Sequence, residues 1–449
     1  MAFLMLLLLL IFTIISFFAG KCSLLSPWFL LCLMFLTTFS IVLINYNKWE
    51  VDINSKFVLY IFTAILAFGC GCALVQFIKK PYAASQNKNS LSIVKAEILQ
   101  AKYPVNLFLF LSIILTCIYV LKLLIDAGMN ASFTAVLRHI YEMQSVGGYS
   151  PGFIFNQCRE VVVAIAYLNV FRLLIRIYSG KDKLSIIKLI LPIFLFLLLI
   201  VVSTERNLFL RFAIYSVCVW VFIFAYSHRG KNLNLRIVVR AALILIVIVL
   251  LFFLLGVTKQ YTSSLFDQIS IYCASGLNNF NLWIRDFNEP LLYGKSTFTT
   301  FLSTIGVILS PFGIKLSGTV EQIDPFISYI TSDGYHYYTN IYSALKPFVE
   351  DFGYFGVIIF PFIIGMFYQW LYWKAKQRSY GLSMIIYCML IYSVIYFPIL
   401  EQAFRRFHMG FVYELVWISL LYYFVFVKNK SKIIINHKSN ISEVQHEKR

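Results

Sequence analysis

The sequence is short of charge. Only 13% of its 449 residues are Asp, Glu, Lys or Arg, and 20 of these are acidic against 38 basic. Ordinary soluble domains are about 25% charged, so this chain has too little charge to cover a water-facing surface. A soluble globular protein is thereby excluded. The nine cysteines show neither a disulfide framework nor metal-ligand spacing. Most fall inside apolar runs, where a thiol behaves as a small hydrophobe. No inverted internal repeat of the kind found in transporters is visible. The first apolar run lacks the basic flank and the small-residue cleavage site of a removed signal, so it reads as a retained helix. What the chain has in excess is apolar surface, 60% hydrophobic and 18% aromatic. This is the composition of an integral membrane protein, and its formal charge of +18 needs a source other than nucleic acid.

Apolar runs of about 20 residues, the length that crosses a hydrocarbon core of roughly 30 Å, occur eleven times: 3–19, 27–45, 57–78, 105–125, 153–171, 185–203, 208–226, 237–257, 353–373, 382–400 and 409–427. Backbone polar groups in lipid must be satisfied within the segment, so the runs are expected to be helices. The expected fold class is all-α, a polytopic membrane protein whose residues 1–449 form a single transmembrane domain. The joining segments alternate in charge. Lys79 to Lys102, Arg172 to Lys188, Arg229 to Arg240 and Lys374 to Arg378 follow alternate spans, and the tail 428–449 is basic. With Lys21 these hold 24 of the 38 basic residues but only four acids, Glu97, Asp182, Glu443 and Glu447. Short cytoplasmic loops are enriched in Lys and Arg, so this face is assigned to the cytoplasm, with the amino terminus outside and the carboxyl terminus inside. The charge of +18 then records orientation.

The one large outer loop is 258–352. Loops of that length are usually functional. Leu265, Phe266, Ile269, Tyr272 and Cys273 recur at helical spacing, as do Phe280, Trp283 and Phe287, which suits amphipathic helices lying on the membrane. The run Phe298 to Ile314 is apolar but interrupted by Gly306, Pro311 and Gly313, so a re-entrant or surface-lying segment is expected. In 126–152, Phe133, Val136, Leu137, Ile140 and Tyr141 share a helical face.

The outer ends of the spans carry arginines against the positive-inside bias: Arg159, Arg206, Arg211, Arg285, Arg405 and Arg406. A guanidinium donates paired hydrogen bonds to phosphate oxygens and keeps its charge in a dry site. Arg206, Arg285 and Arg405 lead as binders of a lipid-linked diphosphate, with Arg406 and Arg159 behind them. The plain alternative is pairing with Glu160, Glu205, Asp286 and Glu401. Candidate bases are His336 and Asp351, with Glu350 a rival and His139 and His408 weaker. Glu50-Val51-Asp52 has a spacing that can hold a divalent ion, but two acids two apart are common by chance, so no metal and no cofactor are predicted.

The segment Tyr335 to Leu345 and its continuation Lys346 to Gly356 resemble the bacterial O-antigen polymerase (Wzy) family, in which an Asn-x-Tyr before a short helix leads to Asp-Phe-Gly-x-x-Gly at the outer end of a late span. Here those positions are Asn340, Tyr342, Asp351, Phe352, Gly353 and Gly356. The resemblance implies a helical, GT-C-like fold with the long loop in the periplasm of a bacterial inner membrane. It implies a glycosyltransferase that moves a growing glycan from undecaprenyl diphosphate onto the next lipid-linked oligosaccharide unit. Its partners would be that lipid-linked substrate, membrane lipids and a chain-length regulator protein. The related O-antigen ligases place His immediately before the motif Asn, where this chain has Thr339. A ligase and a lipid-linked-unit flippase are the alternatives, the latter expected to show a charged path through its spans.

Overall fold

The computed structural model describes residues 1–79, 103–128, 133–145, 149–179, 185–227, 264–313, 324–332, 334–377 and 380–428. The expected eighth span, 237–257, and all but the first residue of the basic tail lie outside these. The described chain is mostly helical. Its helices are α1 (Ala2–Ala19), α2 (Pro27–Ile44), α3 (Ser55–Ile78), α4 (Val105–Ala127), α5 (Phe133–Ser145), α6 (Phe153–Ser179), α7 (Ile186–Ser203), α8 (Arg206–Ser227), α9 (Leu265–Asp286), α10 (Thr299–Leu309), α11 (Leu345–Gln377), α12 (Leu382–Leu390), α13 (Tyr392–Ile395) and α14 (Met409–Tyr422). Among the described residues nine are long and apolar enough to cross a membrane: α1 to α4, α6 to α8, α11, and α14 with its π-helical extension to Val427. Their outward faces carry Phe3, Phe18, Phe77, Ile125 and Ile187, all exposed. Such apolar surface is incompatible with water and suits lipid.

The expected tenth span, 382–400, is not one long helix. It is the nine-residue α12 followed by the single turn α13. The chain then turns tightly, Leu400 N–H donating to the Tyr396 carbonyl at 2.8 Å beyond Pro398. Pro398, which has no N–H to give to a helical ladder, lies just past the end of α13.

The chain forms two compact units, each drawn from separated stretches. The first comprises Met1–Pro81, Gln260–Lys376 and Tyr387–Met409; the second comprises Tyr82–Lys259, Gln377–Ile386 and Gly410–Arg449. In the second unit α4, α6 and α7 pack on one another, and α8 packs on α6 and α7. Amphipathic α5 buries Val136, Leu137 and Ile140 and exposes Arg138, as its spacing predicts.

In the first unit α1 packs on α2, and α9 packs on α2 and α3. The expectation that the 265–287 region lies on the membrane surface is corrected: it is one helix, and most of its length is buried. Small residues Ala274, Ser275 and Gly276 permit close packing. Two of its asparagines bond to neighbouring backbone: Asn279 donates to the Ile341 carbonyl (2.8 Å) and Asn281 to the Asp52 carbonyl (2.7 Å). Helices α3 and α11 cross in contact, with the Cys72 thiol donating to the Gly365 carbonyl at 3.3 Å.

Among the described residues, one hairpin is not helical. Residues Ile327–Ile330 (β1) and His336–Thr339 (β2) form an antiparallel hairpin in which Ile327 pairs with Thr339 and Ile330 with His336. The hairpin is pinned to α9 twice. Tyr329 bonds to Asn278 and Asn279, and Asp267 accepts the Ser332 N–H at 2.8 Å and also takes Lys48, Ser264 and the Ser332 hydroxyl. Burial by itself raises the Asp267 carboxyl, but these hydrogen bonds outweigh it and hold the group well below the usual carboxylate range.

Candidate functional site

The segment before α11 and the first turns of that helix build a crevice in the first unit. It is lined by Asp324, Tyr342, Lys346, Pro347, Glu350, Leu400, Glu401 and Arg405. The sequence motif explains how these residues are brought together. Glycine is required at 353, where φ is +57° and ψ is −141°, a conformation that side-chain-bearing residues rarely adopt. The kink there separates a short helix, Leu345 to Phe352, from the long membrane-crossing part of α11. Gly356 follows because a Cβ there would lie 2.0 Å from the Phe348 carbonyl oxygen. The two glycines thus fold the short helix back against the long one, and that turns Lys346 and Glu350 into the crevice.

Lys346 is the hub. Its ammonium donates to Asp324 at 2.6 Å and to Glu350, and it lies over the rings of Trp283 (5.1 Å) and Tyr342 (5.0 Å). Glu350 has both oxygens engaged, since Oε2 also accepts the Ser296 hydroxyl at 2.6 Å. Asp324 uses Oδ1 for Lys346, and its Oδ2 makes no hydrogen bond among the described residues. The Tyr342 hydroxyl donates to the Pro325 carbonyl at 2.9 Å and so fixes the chain next to Asp324. Burial, with the charges of Asp324 and Glu350, pushes that hydroxyl up to about 12, so it remains a neutral donor.

Arg405 lines the same crevice. Its backbone is set by Glu401, whose buried carboxylate accepts the N–H groups of Ala403 (2.6 Å), Phe404 (2.8 Å) and Arg405 (2.9 Å). Burial raises the Glu401 carboxyl, and the three N–H groups work against that rise. The Arg405 guanidinium itself is half-buried and makes no hydrogen bond or ion pair among the described residues. The site therefore offers, within one crevice, a cation with open donors and a carboxylate with an open oxygen.

The other predicted site residues lie elsewhere. Asp351 is fully buried, and its two oxygens accept the N–H groups of Ser296 (3.0 Å) and Thr297 (2.6 Å), which commits it to a turn. His336 is exposed on β2, bonded through Nδ1 to the Ser328 hydroxyl at 2.8 Å, at the end of the hairpin away from Thr339. Asn340 is half-buried between β2 and α11. Arg406 is buried, donates to the Met389 carbonyl at 2.7 Å and lies over the Tyr392 ring. Arg285, half exposed at the end of α9, sits 3.4 Å from Asp286. Of the five predicted arginines only Arg405 lines the crevice.

Arg159 and Arg206 belong to the second unit. Arg159 spans two carboxylates, Glu160 at 2.5 Å and Glu205, and Arg211 pairs with Glu414 at 3.2 Å. Gln157 accepts the Trp417 indole N–H at 2.8 Å, so α6 and α14 share a buried polar seam. Arg206 is buried at the start of α8, two residues after the left-handed Thr204 that caps α7.

Asp324 and Lys346 were not singled out from the sequence. Lys346 and Glu350 are four apart on a helix, a spacing that signals a pair. No local signal connects Lys346 with Asp324. Among the described residues no three His, Cys, Asp or Glu side chains converge in a metal-ligand arrangement. No family model, curated protein or solved structure matches this chain.

Proposed function

We propose that the protein is a glycan polymerase of the O-antigen type. In this reading it transfers a growing glycan from undecaprenyl diphosphate to a hydroxyl of the next lipid-linked unit, at the outer face of a bacterial inner membrane. The observation that carries the reading is Arg405, whose guanidinium makes no hydrogen bond or ion pair among the described residues and which shares one crevice with carboxylates. Cleavage of the anomeric bond leaves negative charge on a diphosphate, and a fixed guanidinium stabilises that charge as it develops. The acceptor hydroxyl must lose its proton while the sugar takes on oxocarbenium character, which is work for a carboxylate nearby.

Location supports the same reading. Lys346 and Glu350 stand at the start of an apolar membrane-crossing helix, and Arg405 stands just before another. A polyprenyl tail can stay in lipid while its headgroup enters such a crevice. Apolar α10 and the turn after it expose Phe301, Val307, Ile308 and Phe312 in the same unit, a surface suited to acyl chains. The charge pattern of the sequence supports an outer position for this end of the spans.

A second reading, a flippase for the same lipid, draws support from the ionic seam in the second unit. Charged side chains buried in spans mark transport paths as well as structural pairs, and Glu160 and Glu414 are both buried there. The two readings separate in a deletion strain complemented with a catalytically dead variant such as Arg405→Ala. For a polymerase, single repeat units reach the cell surface but long chains are absent. Surface glycan of normal length in the deletion strain itself would contradict the polymerase reading.

A further inference from the structure

Two carboxylates share one ammonium in the crevice, and their surroundings make them unequal. Glu350 is 7% exposed and has both oxygens occupied, by Lys346 and by the Ser296 hydroxyl. Asp324 is 16% exposed, and only its Oδ1 is held. Oδ2 is left without a hydrogen bond among the described residues, in a crevice that Arg405 also lines. The segment that carries Asp324 is itself fixed, because the Tyr342 hydroxyl holds the Pro325 carbonyl at 2.9 Å and the β1–β2 hairpin follows directly. A carboxylate oriented through one oxygen and open at the other is what a general base needs, since the open oxygen must reach a hydroxyl within about 3 Å.

We infer that Asp324 is the general base of the transfer, that Lys346 is the positioning residue that aims it, and that Arg405 holds the diphosphate it works against. This rests on the glycosyl-transfer reading and deepens it. In the step, the acceptor hydroxyl oxygen bonds to the anomeric carbon while the bond from that carbon to the diphosphate oxygen breaks. The bonding pair leaves on the diphosphate, whose new charge Arg405 meets. The hydroxyl proton passes to Asp324 Oδ2 and from there to solvent, so no other reactant is needed. Lys346 touches no substrate atom in this scheme. It acts by fixing Oδ1, and its contacts with Trp283 and Tyr342 keep the ammonium in place. Neither His336 nor Asp351 lines this crevice.

The test uses the full-length protein in nanodiscs with synthetic lipid-linked repeat units, measuring chain elongation and donor binding separately. Asp324→Asn keeps an oxygen for Lys346 but cannot take a proton, so kcat should fall by roughly 10²–10⁴-fold while donor affinity stays within about threefold. Asp324→Glu should recover part of the rate. Lys346→Met should lower kcat and leave KM unchanged, Lys346→Arg should restore most of it, and the double variant Asp324→Asn with Lys346→Met should be no slower than Asp324→Asn alone. Asp324→Asn elongating within twofold of the parent protein would overturn the assignment and leave the polymerase reading standing. A double variant much slower than Asp324→Asn would overturn the positioning role of Lys346. If Asp324→Asn fails to accumulate as folded protein, Asp324→Glu decides: a folded variant at the full parental rate contradicts a base whose reach matters. A parent protein that elongates nothing overturns the glycosyl-transfer reading and this assignment with it.

Discussion

The carboxylate of Asp351 accepts the Thr297 N–H at 2.6 Å in the buried interior of the first unit. Because its other oxygen takes the Ser296 N–H, this side chain holds the loop that precedes α10 against the kinked start of α11. Asp351→Asn replaces one acceptor by a donor and strands a buried N–H, at a cost of about 1–3 kcal/mol. The expected result is a lower Tm in detergent with a near-parental rate per folded molecule. A variant with parental Tm and no activity would return Asp351 to the chemistry.

Substitution at the motif glycines should act through the backbone. Gly353→Ala forces a side chain into a strained conformation, and Gly356→Ala places a methyl against the Phe348 carbonyl. Each should cost about 1–3 kcal/mol and disturb the aim of Lys346 and Glu350. Thermal unfolding reads the first effect, and the elongation rate of the surviving folded fraction reads the second.

The arginines should divide by environment. Arg405→Ala removes a guanidinium that makes no hydrogen bond or ion pair among the described residues, so it should abolish polymer at normal protein levels. Arg159→Ala leaves Glu160 buried without its cation, which should destabilise the protein by about 3 kcal/mol, the low end for a broken buried pair because Glu205 is 25% exposed. Arg206→Ala tests whether the second unit contributes a diphosphate ligand. Loss of polymer at a normal protein level would include it, and normal chain lengths would remove it. Immunoblots paired with glycan gels distinguish these outcomes.

Helical architecture was legible because it rests on composition and run length, both local properties. The limits were also physical. An amphipathic pattern in 265–287 shows that one face is apolar and says nothing about what covers it; the small residues at 274–276 and the asparagines that follow were the signal that protein, rather than lipid headgroups, lies against α9. Glu350 and Asp351 are neighbours in sequence, yet about 100° apart around a helix, so one enters the crevice and the other faces the loop. Sequence spacing could nominate both as bases and could not choose. Asp324 was invisible for a different reason. Its link to Lys346 spans 22 residues and exists only once α11 is kinked and the hairpin is docked. Arg405 was legible as an arginine retained against the charge bias, whereas its lack of a hydrogen bond or ion pair among the described residues was not.

Acid sensitivity should localise to Asp267. Its folded carboxyl lies below its unfolded value, so the stabilisation is fully present above the unfolded value, near pH 4, and is lost as pH falls through the folded one. At pH 7 Asp267→Asn should therefore lower Tm. The difference from the parent should shrink only when the pH is well below 4. A gap that is constant across that range would show that the Lys48 and Ser332 contacts do not depend on the carboxylate charge.

Incubating the purified full-length protein with lipid-linked repeat units alone, and resolving the products by size, tests the central claim most directly. A polymerase yields a ladder of lipid-linked chains that grows with time and disappears in Arg405→Ala. Protein that is folded and binds the donor, yet yields only unreacted single units, would contradict it.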